Sequence, residues 1–217
     1  MVLTVWSSVI VIRFDQIVKR VCYNFVMKEN TRQRLIDATY EEVYSHGYQG
    51  AALADILANA GVHKGSMYHF FPNKKEMALS AIKEKIAQRF ATRYQAIKES
   101  DGDYLKQLFV MLRDGNIRDF KRGCPLANLV QEMSNIDEDF DRTLKVIYAQ
   151  FRKVFKSIYD EAVRAGEMRE CDTRQLALFS VALLEGAILS AKASGDSRDY
   201  FDSVEMLISY IESYKHG

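Results

Sequence analysis

"LADILANAGVHKGSMYHFF" (residues 53–71) is the stretch that decides the fold. Leu53, Ile56, Leu57 and Ala60 recur at helical spacing, and the pattern stops at Gly61. A second short helix is expected from about Lys64 to Phe70. Two short helices joined by a glycine-containing turn match a helix-turn-helix.

Helical spacing continues on both sides. Upstream, Leu35, Ile36, Tyr40, Val43 and Tyr44 form one face of a first helix, with Gly47 as its expected C-terminal cap. Downstream, "PNKKEM" (72–77) opens a long helix, with Asn73 and Glu76 spaced as a capping box. That helix is expected to reach about Glu99, where "SDGD" (100–103) breaks it. A helix over about 103–115 precedes the "KRGCPL" turn (121–126). Beyond the turn, four apolar faces follow: Leu126 to Met133, Leu144 to Ala162, Leu176 to Ile188, and Phe201 to Ile211. About nine helices and no convincing strand predict an all-α fold.

Composition agrees. The 217 residues include 48% hydrophobic and 27% charged side chains, enough for a sizeable core. Only two prolines interrupt the chain, Pro72 and Pro125, which favours long helices. Three scattered cysteines and four histidines show no disulfide or metal-ligand spacing, so no metal and no cofactor is expected. Phosphate-cradling glycine loops and nucleophile elbows are missing too, and an enzyme is not expected.

The basic turn carries the chemistry. A helix-turn-helix seats its second helix in the major groove of double-stranded DNA while flanking groups hold phosphates. Lys64, Lys74 and Lys75 would add counterion-releasing contacts. Tyr68 and His69 can donate to phosphate, and His69 to a base edge as well. Gly65 and Ser66 are small enough for close backbone approach, and the free amides at the helix start would face a phosphate. The blander alternative is a solvated basic edge, with Met67, Phe70 and Phe71 as core. Charge by itself does not decide, since residues 28–77 hold six Lys or Arg and six acids, and the chain's net charge is +1.

Residues 34–77 resemble the DNA-binding domain of the TetR family of bacterial transcriptional regulators. The family's run is approximately A-x-x-x-F-x-x-x-G-[FY]-x-x-T, then D-I-A-x-x-A-G-V-[ST]-x-G-x-[LFI]-Y-x-[HY]-F-x-x-K. The matches are Ala38, Gly47, Tyr48, Asp55, Ile56, Ala60, Gly61, Val62, Gly65, Tyr68, Phe70 or Phe71, and Lys74. Two positions depart: Ala51 stands where a phosphate-touching, helix-capping Thr is usual, and His63 where a capping Ser or Thr is usual. The resemblance implies a cytoplasmic repressor that binds a palindromic operator as a homodimer. It also implies a helix-turn-helix domain over 27–76 and an effector-binding and dimerisation domain over 77–217. The last two helices, about 172–213, would supply the dimer surface, through the small residues Gly186, Ala187, Ser190, Ala191 and Ala193 and an opposing apolar stripe. A helical interaction module without specific DNA binding is the alternative.

"KRGCPLANLVQEMS" (121–134) is the second distinctive segment. Cys124 precedes a helix-opening proline, beside Lys121 and Arg122, a setting that favours thiolate. Gly123, Cys124, Asn128, Leu129 and Glu132 resemble the G-C-x-x-x-N-L-x-x-E stretch of a TetR subgroup with electrophile- and aldehyde-responsive members. Cys124 and Asn128 are therefore candidates for sensing a small-molecule or electrophilic effector, against a reading of Cys124 as an inert helix-start residue.

Residues 1–26 read as an N-terminal extension. An additional helix, a weakly membrane-associated segment, or a start placed too early, with the working protein beginning at Met27, all remain open. The apolar run before Arg13 is too short to span a bilayer.

Overall fold

A computed structural model describes residues 30–100 and 102–215, so the readings of residues 1–26 lie outside the described residues. The chain folds as helices throughout: α1 (30–50), α2 (Leu53–Ala60), α3 (Lys64–Met67), α4 (Lys74–Ala81), a π-helical segment (Ile82–Ala87) and α5 (Gln88–Lys98). After these come α6 (Tyr104–Arg113), α7 (Pro125–Met133), α8 (Glu138–Arg164), α9 (Thr173–Ser194) and α10 (Arg198–Glu212). The segment from Lys74 to Lys98 is one continuous rod, and no strand occurs among the described residues.

Local signals explain the ends. Gly61 closes α2 in the left-handed region, and the Val62 amide reaches back to the Leu57 carbonyl at 3.0 Å. Asn73 caps α4 by accepting the Glu76 amide at 2.9 Å. Asp137 caps α8 and Asp172 caps α9 in the same way. Pro125 occupies the first turn of α7, with Cys124 at the cap position.

Two apolar clusters hold the helices together. The first joins Leu35, Ile56, Met67 and Phe71 to α4, and then to Leu126, Leu129 and Met133 of α7 and Phe140 of α8. The helix-turn-helix segment, α1 to α3, therefore shares a core with α7, and the packing is continuous across residue 76. The second cluster lies among α5, α6, α8, α9 and α10 around Tyr94, Phe155, Tyr159 and Tyr200. Two of its buried hydroxyls have partners: Tyr159 with Ser180 at 2.7 Å, and Tyr200 with the Leu112 carbonyl at 2.9 Å. Each fully buried Leu, Ile, Phe or Met of the two clusters contributes about 1.5–3 kcal/mol on burial.

The apolar stripe of the last helix faces inward. Val204, Leu207, Ile208 and Ile211 are buried within the protomer, as are Ala187 and Ala191 of α9. These residues are core because α9 and α10 pack on each other and on α8 and α6. The outward face of the pair carries instead Leu178, Phe179, Leu189, Met206 and Tyr210, with the Phe179 and Tyr210 rings 5.1 Å apart. Gly186, Ser190 and Ala193 are exposed beside them. By length and composition α9 could cross a membrane, yet its Leu176, Val181 and Leu184 lie in the second core.

Candidate functional site

The regular part of α3 is a single turn, Lys64–Met67, and residues 68–70 continue as turns, so the second helix is shorter than the sequence pattern predicts. Met67 and Phe71 are buried and Phe70 packs against the same core, which anchors the segment. The polar residues between them point outward: His63, Lys64, Gly65, Ser66, Tyr68 and His69 are all exposed. A Cβ built on Gly65 would meet nothing within 4 Å, and its φ is not positive. The fold of the chain therefore does not require glycine there, and the space beside it is open.

The two departures at helix caps have different outcomes. His63 occupies the cap position of α3 and makes no side-chain cap bond. Ala51 is buried at 1% exposure, and the cap residue of α2 is the next one, Ala52, also without a side-chain bond. The Ala51 methyl thus fills the core instead of facing a phosphate. A one-turn α3 also offers too little aligned backbone for the anion site expected at its start.

Lysines at the head of α4 are engaged inside the protein. Lys74 donates to the Tyr48 carbonyl at 2.6 Å and lies 4.4 Å from that ring's centre. Its pKa is lowered, chiefly by burial. Lys75 bridges Asp137 and Asp139 at the start of α8, at 2.7 and 2.5 Å. This pairing, invisible to local sequence, commits Lys75 to the body and leaves it unavailable as a free phosphate donor.

Further ties join α1 to α7 and to the turn before it. Glu132 accepts the Tyr48 and Gln49 amides at 2.9 and 2.8 Å. Gly47 makes this possible: φ is +74, and a Cβ there would sit 2.7 Å from the Glu132 carboxylate. Arg122 binds Asp119 and Glu41 and lies over the Tyr44 ring, whose hydroxyl donates to the Gly123 carbonyl at 2.6 Å. Asn128 donates to the Arg122 carbonyl at 2.8 Å, so it braces the turn and does not join Cys124 at the cavity.

That cavity, about 40 Å³, lies in the body beneath the connecting rod. It offers several times the space one water needs. Its apolar wall comes from Ile86, Ile117, Phe151, Leu184 and Ile188. The π-helical turns end at Ala87, which brings Ile86, Arg89 and Arg93 to the cavity from one rod. Tyr94 and Phe151 complete the lining together with Arg89, Arg93, Arg118 and Glu185, four charged residues that sequence reasoning missed. The usable signal was a pair of arginines three and seven positions beyond Ile86, on a face that is otherwise apolar.

Cys124 also lines the cavity, and its electrostatics reverse the expectation of a stabilised thiolate. Burial pushes the thiol up first, and the neighbouring Glu185 adds to this. The Sγ donates to Glu185 Oε1 at 3.3 Å. Arg122, expected to favour the thiolate, turns to acids on α1 and in its own loop. Burial likewise raises the pKa of Glu185, whose Oε2 is buried without a hydrogen-bond partner. Among the described residues, no group of three or more His, Cys, Asp or Glu is placed to hold a metal.

Comparison with known proteins gives concordant matches. A family model described as bacterial regulatory proteins, tetR family, matches residues 35–81. One described as the tetracyclin repressor-like C-terminal domain matches residues 104–206. The chain is 33% identical over 165 residues to the transcriptional regulator AcuR of Cereibacter sphaeroides, covering 74% of this chain and 75% of that one. It is 32% identical over 128 residues to an HTH-type transcriptional regulator in the lacX 3' region of Lactococcus lactis. That match covers 57% of this chain and spans 65% of the relative, just under two thirds of its length. Among solved structures, a TetR-family regulator from Cytophaga hutchinsonii superposes with a TM-score of 0.79 at 25% identity, covering 88% of this chain and 98% of that one.

Proposed function

The chain belongs to the TetR family of bacterial transcriptional regulators, and from that premise we propose that it is a cytoplasmic, effector-released repressor, not an enzyme. Two protomers would present their α3 segments to the half-sites of a palindromic operator. One observation carries the DNA reading: the exposed run from His63 to His69 is built around a glycine that its own fold leaves uncrowded. Lys64, Ser66, Tyr68 and His69 supply the donors. Lys74 keeps two of its three ammonium protons for phosphate while it holds Tyr48.

Dimerisation is assigned to the outward face of α9 and α10, around Leu178, Phe179, Met206 and Tyr210. An exposed apolar face of this kind is what a homodimer buries. The effector occupies the cavity. Filling it favours one setting of the α4–α5 rod, whose far end carries the reading head, so the effector acts by its unequal affinity for the two settings. Cys124 serves as cavity wall, and its burial favours a non-covalent effector over an electrophile.

A salt-dependent mobility shift on DNA from upstream of the protein's own gene tests this reading. Strong preference over random DNA, with steep loss of affinity as salt rises, is expected. Equal binding to all fragments would favour a helical interaction module.

A further inference from the structure

Three cations face the cavity with too few partners. Arg89 donates to the Tyr40 hydroxyl at 3.2 Å and to the Ile117 carbonyl at 2.9 Å, and Arg93 donates to that same carbonyl at 2.9 Å. Arg118 lies 4.6 Å from the Tyr200 ring centre, and its Nε and Nη2 are buried without hydrogen-bond partners. Among the described residues none of the three guanidiniums is paired with a carboxylate. Asp119 lines the cavity too, but it is bound to Arg122 at 2.6 Å. Glu185 lines the cavity as well, but its oxygen Oε1 is engaged by the Cys124 thiol and not by a guanidinium. The strain shows at Arg93, whose pKa is lowered first by burial and next by Arg89, with Arg118 contributing. Unpaired buried charge and unmet buried donors are costly, and an anion would relieve both.

We propose that the cavity binds a small organic monocarboxylate, seated on the Nε and Nη2 edge of Arg118, with Arg89 and Arg93 adding positive potential. The same edge already works elsewhere in the chain, where Arg113 Nε and Nη2 hold the Glu205 carboxylate at 2.6 and 2.7 Å. About 40 Å³ and an aliphatic wall suit a short hydrocarbon tail. A phosphate would set its additional oxygens against this apolar wall, which a hydrocarbon tail fits better. The unpartnered Glu185 oxygen lies ready for a hydroxyl or a protonated group on the ligand. This proposal deepens the effector reading, and its consequence for DNA rests on that reading.

The test uses the full chain with sodium propionate, propionamide and inorganic phosphate, followed by calorimetric titration and thermal unfolding. Propionate is expected to bind saturably and raise the unfolding temperature, whereas the isosteric amide and phosphate do not. Arg118→Gln should weaken propionate binding at least tenfold, with Arg118→Lys intermediate. Equal binding of propionate and propionamide, phosphate binding alone, or no binding of any straight-chain acid from acetate to valerate would overturn the proposal. The acid-versus-amide comparison on the unsubstituted protein decides the matter even if the Arg118 variants fold poorly. If propionate binds normally yet leaves the operator complex intact, the effector reading fails and the carboxylate site stands. If operator binding is normal and no acid binds, the carboxylate site fails and the regulator stands.

Discussion

Glu132 on α7 accepts the backbone amide of Tyr48, at the end of α1, across 84 positions of sequence. With the second bond to Gln49, this carboxylate fixes the reading head to the body through its own backbone. Both bonds are charge-assisted. Glu132→Ala should destabilise the protein by about 2 kcal/mol, read from denaturant midpoints at an unchanged slope. It should also loosen the linkage, so that effector releases less of the bound DNA than in the parent protein.

Gly65 separates folding from binding. Its Cβ position is open, and an alanine in α3 raises helix propensity, so Gly65→Ala should unfold no earlier than the parent. Operator affinity should fall by about tenfold or more, equivalent to roughly 1.4 kcal/mol. A variant that binds DNA normally would remove Gly65 from the interface.

Lys64→Ala and Tyr68→Phe should weaken binding to all sequences alike, because phosphate contacts carry no base information. For Lys64→Ala the slope of log affinity against log salt should become shallower by about 0.9 for each phosphate that is no longer neutralised. Lys74→Ala should show the same uniform weakening together with lower stability, since it also releases the Tyr48 carbonyl. A change of preferred sequence in any of the three would contradict the assignment.

Glu185 gives stability a pH dependence with a definite sign. Burial raises its pKa in the folded state, opposed by the Cys124 hydrogen bond and by Arg118. The folded protein therefore holds the proton more tightly than the unfolded chain does. The resulting stability is fully present below the unfolded carboxyl value of about 4.3, and it is lost as pH rises through the higher folded value. Glu185→Gln should flatten this fall, so the variant gains on the parent between about pH 4 and neutrality. Parallel urea titrations across that range measure the difference, and a parent that gains on the variant with rising pH would contradict it.

What was legible in the sequence was local. Spacing of Leu53, Ile56, Leu57 and Ala60, the stop at Gly61, and the capping signals at Asn73 and Pro125 each act within a few residues. They fix helix positions because hydrogen bonding and side-chain burial in a helix repeat at short range. The exposed donors at 63–69 were readable for the same reason, since Met67 and Phe71 must face inward and leave their neighbours outside.

Tertiary structure decided the rest. The stripe of α10 reads equally well as dimer face or protomer core, and only its packing against α9 makes it core. Lys75 meets its acids on α8, Glu132 meets amides on α1, and Arg89, Arg93 and Arg118 converge from two segments. Cys124 changes from an activated thiol to a suppressed one because the packed helices bury it, with Glu185, 61 positions away, adding to the effect. Charge and burial act through space, and the distances that set them are properties of the assembled helices, not of any window along the chain.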